Sequence, residues 1–253
     1  VTAVLSAENL TIRFGGLIAV DSVSFEVRER EVYTIVGPNG AGKTTIFNLI
    51  SRIYDPTGGR IRFYGEDITE TPAHRIAGIG IARTFQNIEL FEHATVLHNL
   101  LVGRHCKSRT NVFEELAFLP RVRRAEHVHR EKVEEVIDFL DLQPYRDQYI
   151  ANLPYGVRKV VELARALCIE PKLLLLDEPA SGLSVEETEN VAFWIDDIKN
   201  DLGIAILMVE HDMSLVTEVS DRVLAMNDGR TIAEGTSDEV QNHPEVVRAY
   251  LGA

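Results

Sequence analysis

Val32-Tyr33-Thr34-Ile35-Val36 running into Gly37-Pro38-Asn39-Gly40-Ala41-Gly42-Lys43-Thr44 is the stretch that decides the fold. The first part is a short β-branched run that reads as a strand stopping at Gly37. From Lys43 to Ile50 the apolar spacing suits a helix. The loop between them fits G-x-x-x-x-G-K-[ST] at every fixed position, in the strand-to-helix context that the pattern requires. Glycines allow successive backbone N–H groups to turn inward as an anion-binding nest. The helix beginning there adds the positive end of its dipole. Lys43 supplies a cation for β- and γ-phosphates, and Thr44 offers a hydroxyl to Mg²⁺, a cation that prefers oxygen ligands. Thr45 is grouped with the loop as a nucleotide contact.

Upstream, Glu8 to Phe14 alternates as a strand, and Val23 to Val27 reads as its antiparallel neighbour. Downstream, Asp55-Pro56-Thr57-Gly58-Gly59 is a turn by its chemistry, and Ile61 to Tyr64 resumes as a strand. Between Asn87 and Cys168 apolar residues recur at helical spacing, as in Val133, Val136, Ile137 and Leu140. This is the expected helical lobe, and the Arg121 to Arg124 run within it reads as a solvated loop. Strands are expected at Leu173 to Leu176 and Ile204 to Val209, with a helix from Val185 to Lys199 between them and a short helix from Val246 to Leu251. A βαβ unit of this kind implies parallel strands.

The second chemical signal is Leu173-Leu174-Leu175-Leu176-Asp177-Glu178. An apolar strand delivers adjacent carboxylates at its C-terminal end, where α/β sheets place their ligands. Neighbours in an extended segment face opposite ways, so the acids can take different tasks. Asp177 is placed to hold Mg²⁺. Glu178 is placed to orient and polarise an attacking water.

Composition limits the alternatives. With 39 acidic against 26 basic residues the formal charge is -13, which argues against a general nucleic-acid binder. The two cysteines, Cys106 and Cys168, have no metal-ligand spacing and are expected to be reduced thiols. No stretch approaches the roughly 20 apolar residues that span a bilayer, and no secretory signal is evident at the start. The expectation is a soluble, intracellular chain whose membrane role, if any, runs through a partner. A GTPase switch would need a guanine-reading Asn-Lys-x-Asp, and no Asn-Lys pair occurs.

At this point the whole chain resembles the ABC transporter ATPase family. The resemblance implies an α/β fold: a P-loop NTPase core with a mixed sheet, an N-terminal antiparallel β subdomain and an inserted α-helical subdomain. Residues 1–86 and 169–253 would form the core, and 87–168 the helical part. Gln86, in Arg83-Thr84-Phe85-Gln86-Asn87, looks like the Q-loop glutamine, implied to contact Mg²⁺ or the attacking water. Leu153-Pro154-Tyr155-Gly156-Val157 looks like the signature motif, which closes over the γ-phosphate bound to an opposite subunit. Ser181-Gly182-Leu183-Ser184 sits where the D-loop belongs. His211, in Glu210-His211-Asp212, matches the switch histidine, and Phe14 lies where an aromatic ring stacks on adenine.

The signature departs from many relatives in having Pro154 for serine and Val157 for glutamine. That leaves the Gly156 N–H and the helix N-terminus to meet the γ-phosphate. Ser184 stands where aspartate is common. Within the family, the chain is most similar to ATPases of bacterial branched-chain amino acid importers. The carriers are Ile81 to Gln86, the extended Gly103 to Arg124 segment, the Tyr-Gly signature and the Val247-to-Gly252 ending. The ATPase of lipopolysaccharide export is the alternative. The resemblance further implies ATP and Mg²⁺ as ligands, a homo- or heterodimer of ATPase subunits, transmembrane permease partners and, indirectly, a substrate-binding protein. It implies a cytoplasmic location, peripheral on the inner face of the membrane through the permease, and no nucleic acid.

Overall fold

The computed structural model of the protein describes residues 2–84, 88–107 and 120–251. The expectations for Gln86, for Asn87 and for most of the Gly103 to Arg124 segment therefore lie outside the described residues. So does that for Gly252. The chain divides into two compact units, Val1–Gln86 with Lys172–Ala253, and Asn87–Pro171.

The first unit contains two sheets. In the antiparallel one, β1 (Ala3–Phe14) pairs with β2 (Leu17–Arg28) on one side and with β4 (Gly58–Phe63) on the other, and β5 (Glu66–Asp67) follows β4. Val23, Phe25 and Val27 of β2 are buried while their neighbours are exposed, the alternation of a sheet with one face on a core. The other sheet joins β3 (Val32–Val36), β6 (Ile81–Arg83), β7 (Leu173–Asp177), β8 (Ala205–Val209), β9 (Arg222–Asn227) and β10 (Arg230–Gly235) in the order β10-β9-β3-β8-β7-β6. It is mixed: β10 runs antiparallel to β9 and the remaining pairs are parallel. Every residue of β3, β7 and β8 is buried, as in parallel strands covered on both faces.

Register decides where the chemistry gathers. Ile35 of β3 pairs with Val209 of β8, and Asp177 of β7 pairs with the same Val209. The loops leaving β3, β8 and β7 therefore emerge side by side at one edge, although they are far apart in sequence. α1 (Lys43–Ile50) leaves the first of these loops and buries Ile46, Phe47, Leu49 and Ile50 in a core shared with both sheets. α2 (Ala73–Ile79) ends at Gly80, which is left-handed at φ 107, and leads into β6.

The second unit is helical. α3 (Val96–Gly103), α4 (Pro120–Phe139) and α5 (Tyr155–Leu167) bury Leu100, Val133, Ile137 and Val161, and Leu140 is buried just past the end of α4. Arg121 to Arg124 fall in the first turn of α4, so they are helix and not the expected loop; Arg123 and Arg124 are exposed. Half-buried Val122, Ala125 and His129 continue the helical spacing back from Val133, which carries the arginines into the helix. Buried Arg104 donates to the Cys168 carbonyl at 2.8 Å and to Glu170 at 2.7 Å. Burial pushes the Cys168 thiol up to about 12, so it is packed and unreactive.

Back in the first unit, α6 (Val185–Asn200) joins β7 to β8, and α7 (Met213–Val219) follows β8. α8 (Ser237–Gln241) and α9 (Pro244–Leu251) close the chain. No helix among the described residues is long and apolar enough to cross a membrane.

Candidate functional site

The loop leaving β3 folds into a tight cradle. Gly37 has φ 152 and a Cβ there would lie 2.3 Å from the Met226 carbonyl oxygen; at Gly42, with φ 100, it would lie 2.6 Å from that of Ala19. Only glycine fits either position. Gly42 caps α1 without any side-chain hydrogen bond, so the first-turn amides carry no competing cap. The Gly229 N–H, from the β9–β10 turn, donates to the Ala41 carbonyl at 3.1 Å and braces the loop from outside.

Lys43 is only 5% exposed, and its Nζ donates to the carbonyls of Gly37 at 2.7 Å and Pro38 at 3.0 Å. Burial draws its pKa below the ordinary lysine value, against the opposing pull of the Glu178 and Asp177 charges. A buried ammonium bonded to neutral carbonyls is well prepared to receive an anion. Thr44 is exposed at the start of α1 and Thr45 is half-buried.

A cleft of about 370 Å³ opens over this loop, and Asn39, Lys43, Thr44, Glu178 and His211 line it. Glu178 leaves β7 in the left-handed region, at φ 52, and its N–H donates to the Val209 carbonyl at 2.9 Å. That turn brings its carboxylate to His211, with Oε1 2.8 Å from Nε2. Opposite an ionised carboxylate, which only accepts, the Nε2 carries the proton. Asp177 points the other way, 1% exposed, with Oδ2 accepting from Arg83 Nη2 at 2.8 Å.

The donor set suits Mg²⁺. Thr44 and Asp177 offer hard oxygens, and the described residues contain no cluster of His, Cys, Asp and Glu able to hold a metal by themselves. Mg²⁺ is characteristically held by one or two side chains plus substrate phosphates.

Other expected residues are dispersed. Phe14 ends β1, 45% exposed, with its ring edge-on to Tyr54 at 5.2 Å, and it is not among the lining residues of the cleft. Leu153 to Val157 belong to the helical unit. There Pro154 is the N-cap of α5, offering no side-chain bond, Gly156 is buried and Tyr155 is half exposed. Arg158 folds back to donate to the carbonyls of Leu153 at 2.9 Å and Ala151 at 2.8 Å, which fixes the turn before the helix. Ser184 forms a reciprocal capping box with Glu187 at the start of α6, so serine here has a structural task of its own.

Two residues were given no role from the sequence. Arg83 joins Asp177 to Asn48, with a second bond of 2.7 Å to Asn48 Oδ1 on α1. Glu210, 3% exposed, accepts three backbone N–H groups around the cleft. An acid directly after the all-apolar strand Ile204 to Val209 was the available signal, the same one that marked Asp177.

A family model described as "ABC transporter" matches residues 20–181. A second, "Branched-chain amino acid ATP-binding cassette transporter", matches residues 230–253. The chain is 40% identical to the high-affinity branched-chain amino acid transport ATP-binding protein BraF of Pseudomonas aeruginosa, covering 98% of each chain. It is 42% identical to the protein LivG of Salmonella typhimurium, which has the same description, over 98% of this chain and 97% of that one. Among solved structures, the ADP conformation of MJ1267, an ATP-binding cassette of an ABC transporter, superposes with a TM-score of 0.87 at 31% identity over the full length of both chains. A nucleotide-free cassette from an ABC transporter gives 0.86 at 31% identity, over 99% of this chain and 100% of that one.

Proposed function

The chain belongs to the ABC transporter family as an ATP-binding, ATP-hydrolysing subunit that powers transport, and on that premise we propose that it drives uptake of branched-chain or related hydrophobic amino acids through a permease. The single observation that carries the reaction is the common cleft of Lys43, Glu178 and His211 at the shared edge of β3, β7 and β8. The substrate class is supported by the likeness to BraF and LivG and by the match of the C-terminal residues 230–253.

In this reading the amides of Gly37 to Thr44, with Pro38 and Asn39 shaping the turn and Thr45 beside it, bind the β- and γ-phosphates. Lys43 exchanges its bonds to the Gly37 and Pro38 carbonyls for phosphate oxygens. Thr44, Asp177 and Gln86 would hold Mg²⁺, which would offset charge on the phosphate oxygens. Glu178 orients and polarises the water whose oxygen bonds to the γ-phosphorus as the bond to the β–γ bridging oxygen breaks. His211 turns from Glu178 to the γ-phosphate, and Phe14 stacks on adenine.

Residues 1–86 and 169–253 carry this phosphate chemistry, and 87–168 carry the signature segment. Leu153 to Val157 of a second ATPase subunit complete the site, through the Gly156 N–H and the uncapped start of α5. Loss of the γ-phosphate removes the charge that joins the two surfaces, and the dimer opens. The protein then works at the cytoplasmic face of the membrane, held there by the permease, with cargo delivered by a substrate-binding protein.

Glu178→Gln tests the reaction. Binding of Mg-ATP and dimerisation should survive while turnover falls about 10²–10⁴-fold; unchanged turnover would remove Glu178 from its role. The substrate class is tested in liposomes holding the permease and binding protein. Leucine, isoleucine or valine should stimulate hydrolysis, and indifference to all of them would sink the importer reading.

A further inference from the structure

Glu210 is a buried acid that the reaction above does not use. It follows β8, is 3% exposed, and places both carboxylate oxygens on backbone donors. Oε1 accepts from the Ala180 N–H at 2.9 Å, while Oε2 accepts from the N–H groups of His211 at 2.6 Å and Asp212 at 3.1 Å. Ala180 stands two residues beyond Glu178, in a turn where the Ser181 N–H donates to the Glu178 carbonyl at 3.1 Å and the Leu183 N–H to that of Ala180, also at 3.1 Å. One side chain therefore spans the loop bearing Glu178 and the loop bearing His211, next to the hydrogen bond those residues form.

We infer that Glu210 is a positioning residue for ATP hydrolysis, a clamp that sets the separation of Glu178 and His211 by holding the Ala180 and His211 backbones to one carboxylate. This inference rests on the roles proposed for Glu178 and His211.

The chemistry of the position requires a carboxylate. Its oxygens only accept, and charge-assisted bonds to N–H groups are about twice as strong as neutral ones. A glutamine of the same shape keeps one acceptor oxygen. Its amide nitrogen would face either Ala180 or the His211–Asp212 pair, donor against donor, so one loop comes loose whichever way the amide turns. The last β7–β8 rung, from the Glu178 N–H to Val209, stays in place, so the damage is confined to the segments beyond it. Small misplacements of this kind cost turnover far more than binding.

The test compares wild type, Glu210→Gln, Glu210→Asp, His211→Ala and the Glu210→Gln/His211→Ala double variant in the full chain. Steady-state Mg-ATP hydrolysis is measured alongside amide hydrogen exchange at Ala180, His211 and Asp212. The clamp predicts a roughly tenfold to hundredfold loss of kcat in Glu210→Gln with KM little changed. It predicts faster exchange at those amides, partial recovery in Glu210→Asp, and a combined loss in the double variant smaller than the product of the two single losses. Wild-type kcat in Glu210→Gln, unchanged exchange, or losses that multiply in the double variant would overturn it. Should Glu210→Gln fail to fold, Glu210→Asp carries the same comparison. A wild-type chain that hydrolyses no ATP would count against the proposed reaction, and the exchange data would then decide the clamp.

Discussion

Arg83 and Asp177 form an ion pair at 2.8 Å, with side chains only 8% and 1% exposed. The same guanidinium reaches Asn48 at 2.7 Å and Ser51 at 3.2 Å on and just after α1, and lies over the Phe47 ring. The strand that runs toward Gln86 is thus tied to the acid proposed to hold Mg²⁺ and to the helix that starts at the phosphate loop. Removing one member of a buried pair strands the other, at a cost of about 3–5 kcal/mol. Arg83→Met should lower the denaturation midpoint accordingly, and Arg83→Lys by less; a midpoint equal to wild type would show that the pair does not stabilise the core.

Glu178 sits at φ 52, a conformation that costs a side-chain-bearing residue about 1–2 kcal/mol. Glycine adopts it freely. Glu178→Gly should therefore be no less stable than Glu178→Ala in urea, in spite of the greater flexibility of its unfolded chain. An alanine variant clearly the more stable would contradict a left-handed turn at this position.

The start of α6 depends on the Ser184 and Glu187 box, with Ser184 N–H to Glu187 Oε2 at 2.8 Å and the return bond at 3.3 Å. Ser184→Ala should cost about 1 kcal/mol. Ser184→Asp should be close to neutral, since aspartate caps equally well. Equal stability of all three proteins would mean that the cap is not formed.

In the helical unit Arg146 grips both oxygens of Glu134, with Nε at 3.0 Å from each. The hydrogen bond from Arg146 holds the Glu134 carboxyl below the usual carboxylate range. A lowered acid contributes stability that is fully present above its unfolded pKa and is lost as pH falls through the folded one. The stability advantage of wild type over Glu134→Gln should be constant near neutrality and shrink on acidification below the ordinary glutamate value. Both groups are about one-third exposed, so the effect should stay within about 1 kcal/mol. An advantage that grew on acidification would reverse the sign and refute the pairing.

Much of this was legible because strand, loop and helix each left a local mark. Val32 to Val36, the glycines and Lys43 identify the phosphate cradle without any knowledge of the rest, and the leucine run ending in Asp177 marks the strand that lies beyond β8 in the same sheet. The β9–β10 hairpin has only its turn as a local mark: Asp228-Gly229, with φ 47 and 76, is a favoured two-residue hairpin turn. The flanking strands lack a clear alternation: Val223 to Met226 are all buried, while β10 is largely open to solvent. Arg83 was hidden for another reason. Its partner Asp177 is 94 residues away, and a polar side chain buried by distant elements leaves no periodic signal. The helical span of α4 was visible, but its first turn read as a loop because three arginines surround Val122 and mask the helical spacing there.

The central claim is that the 37–44 loop, with Lys43, receives a triphosphate. Calorimetric titration of the purified chain and of Lys43→Ala with ATP, with and without Mg²⁺, tests it most directly. Wild type should bind ATP in a magnesium-dependent manner that Lys43→Ala loses or retains only weakly. Absence of magnesium-dependent affinity in wild type, or equal affinity in the variant, would contradict it.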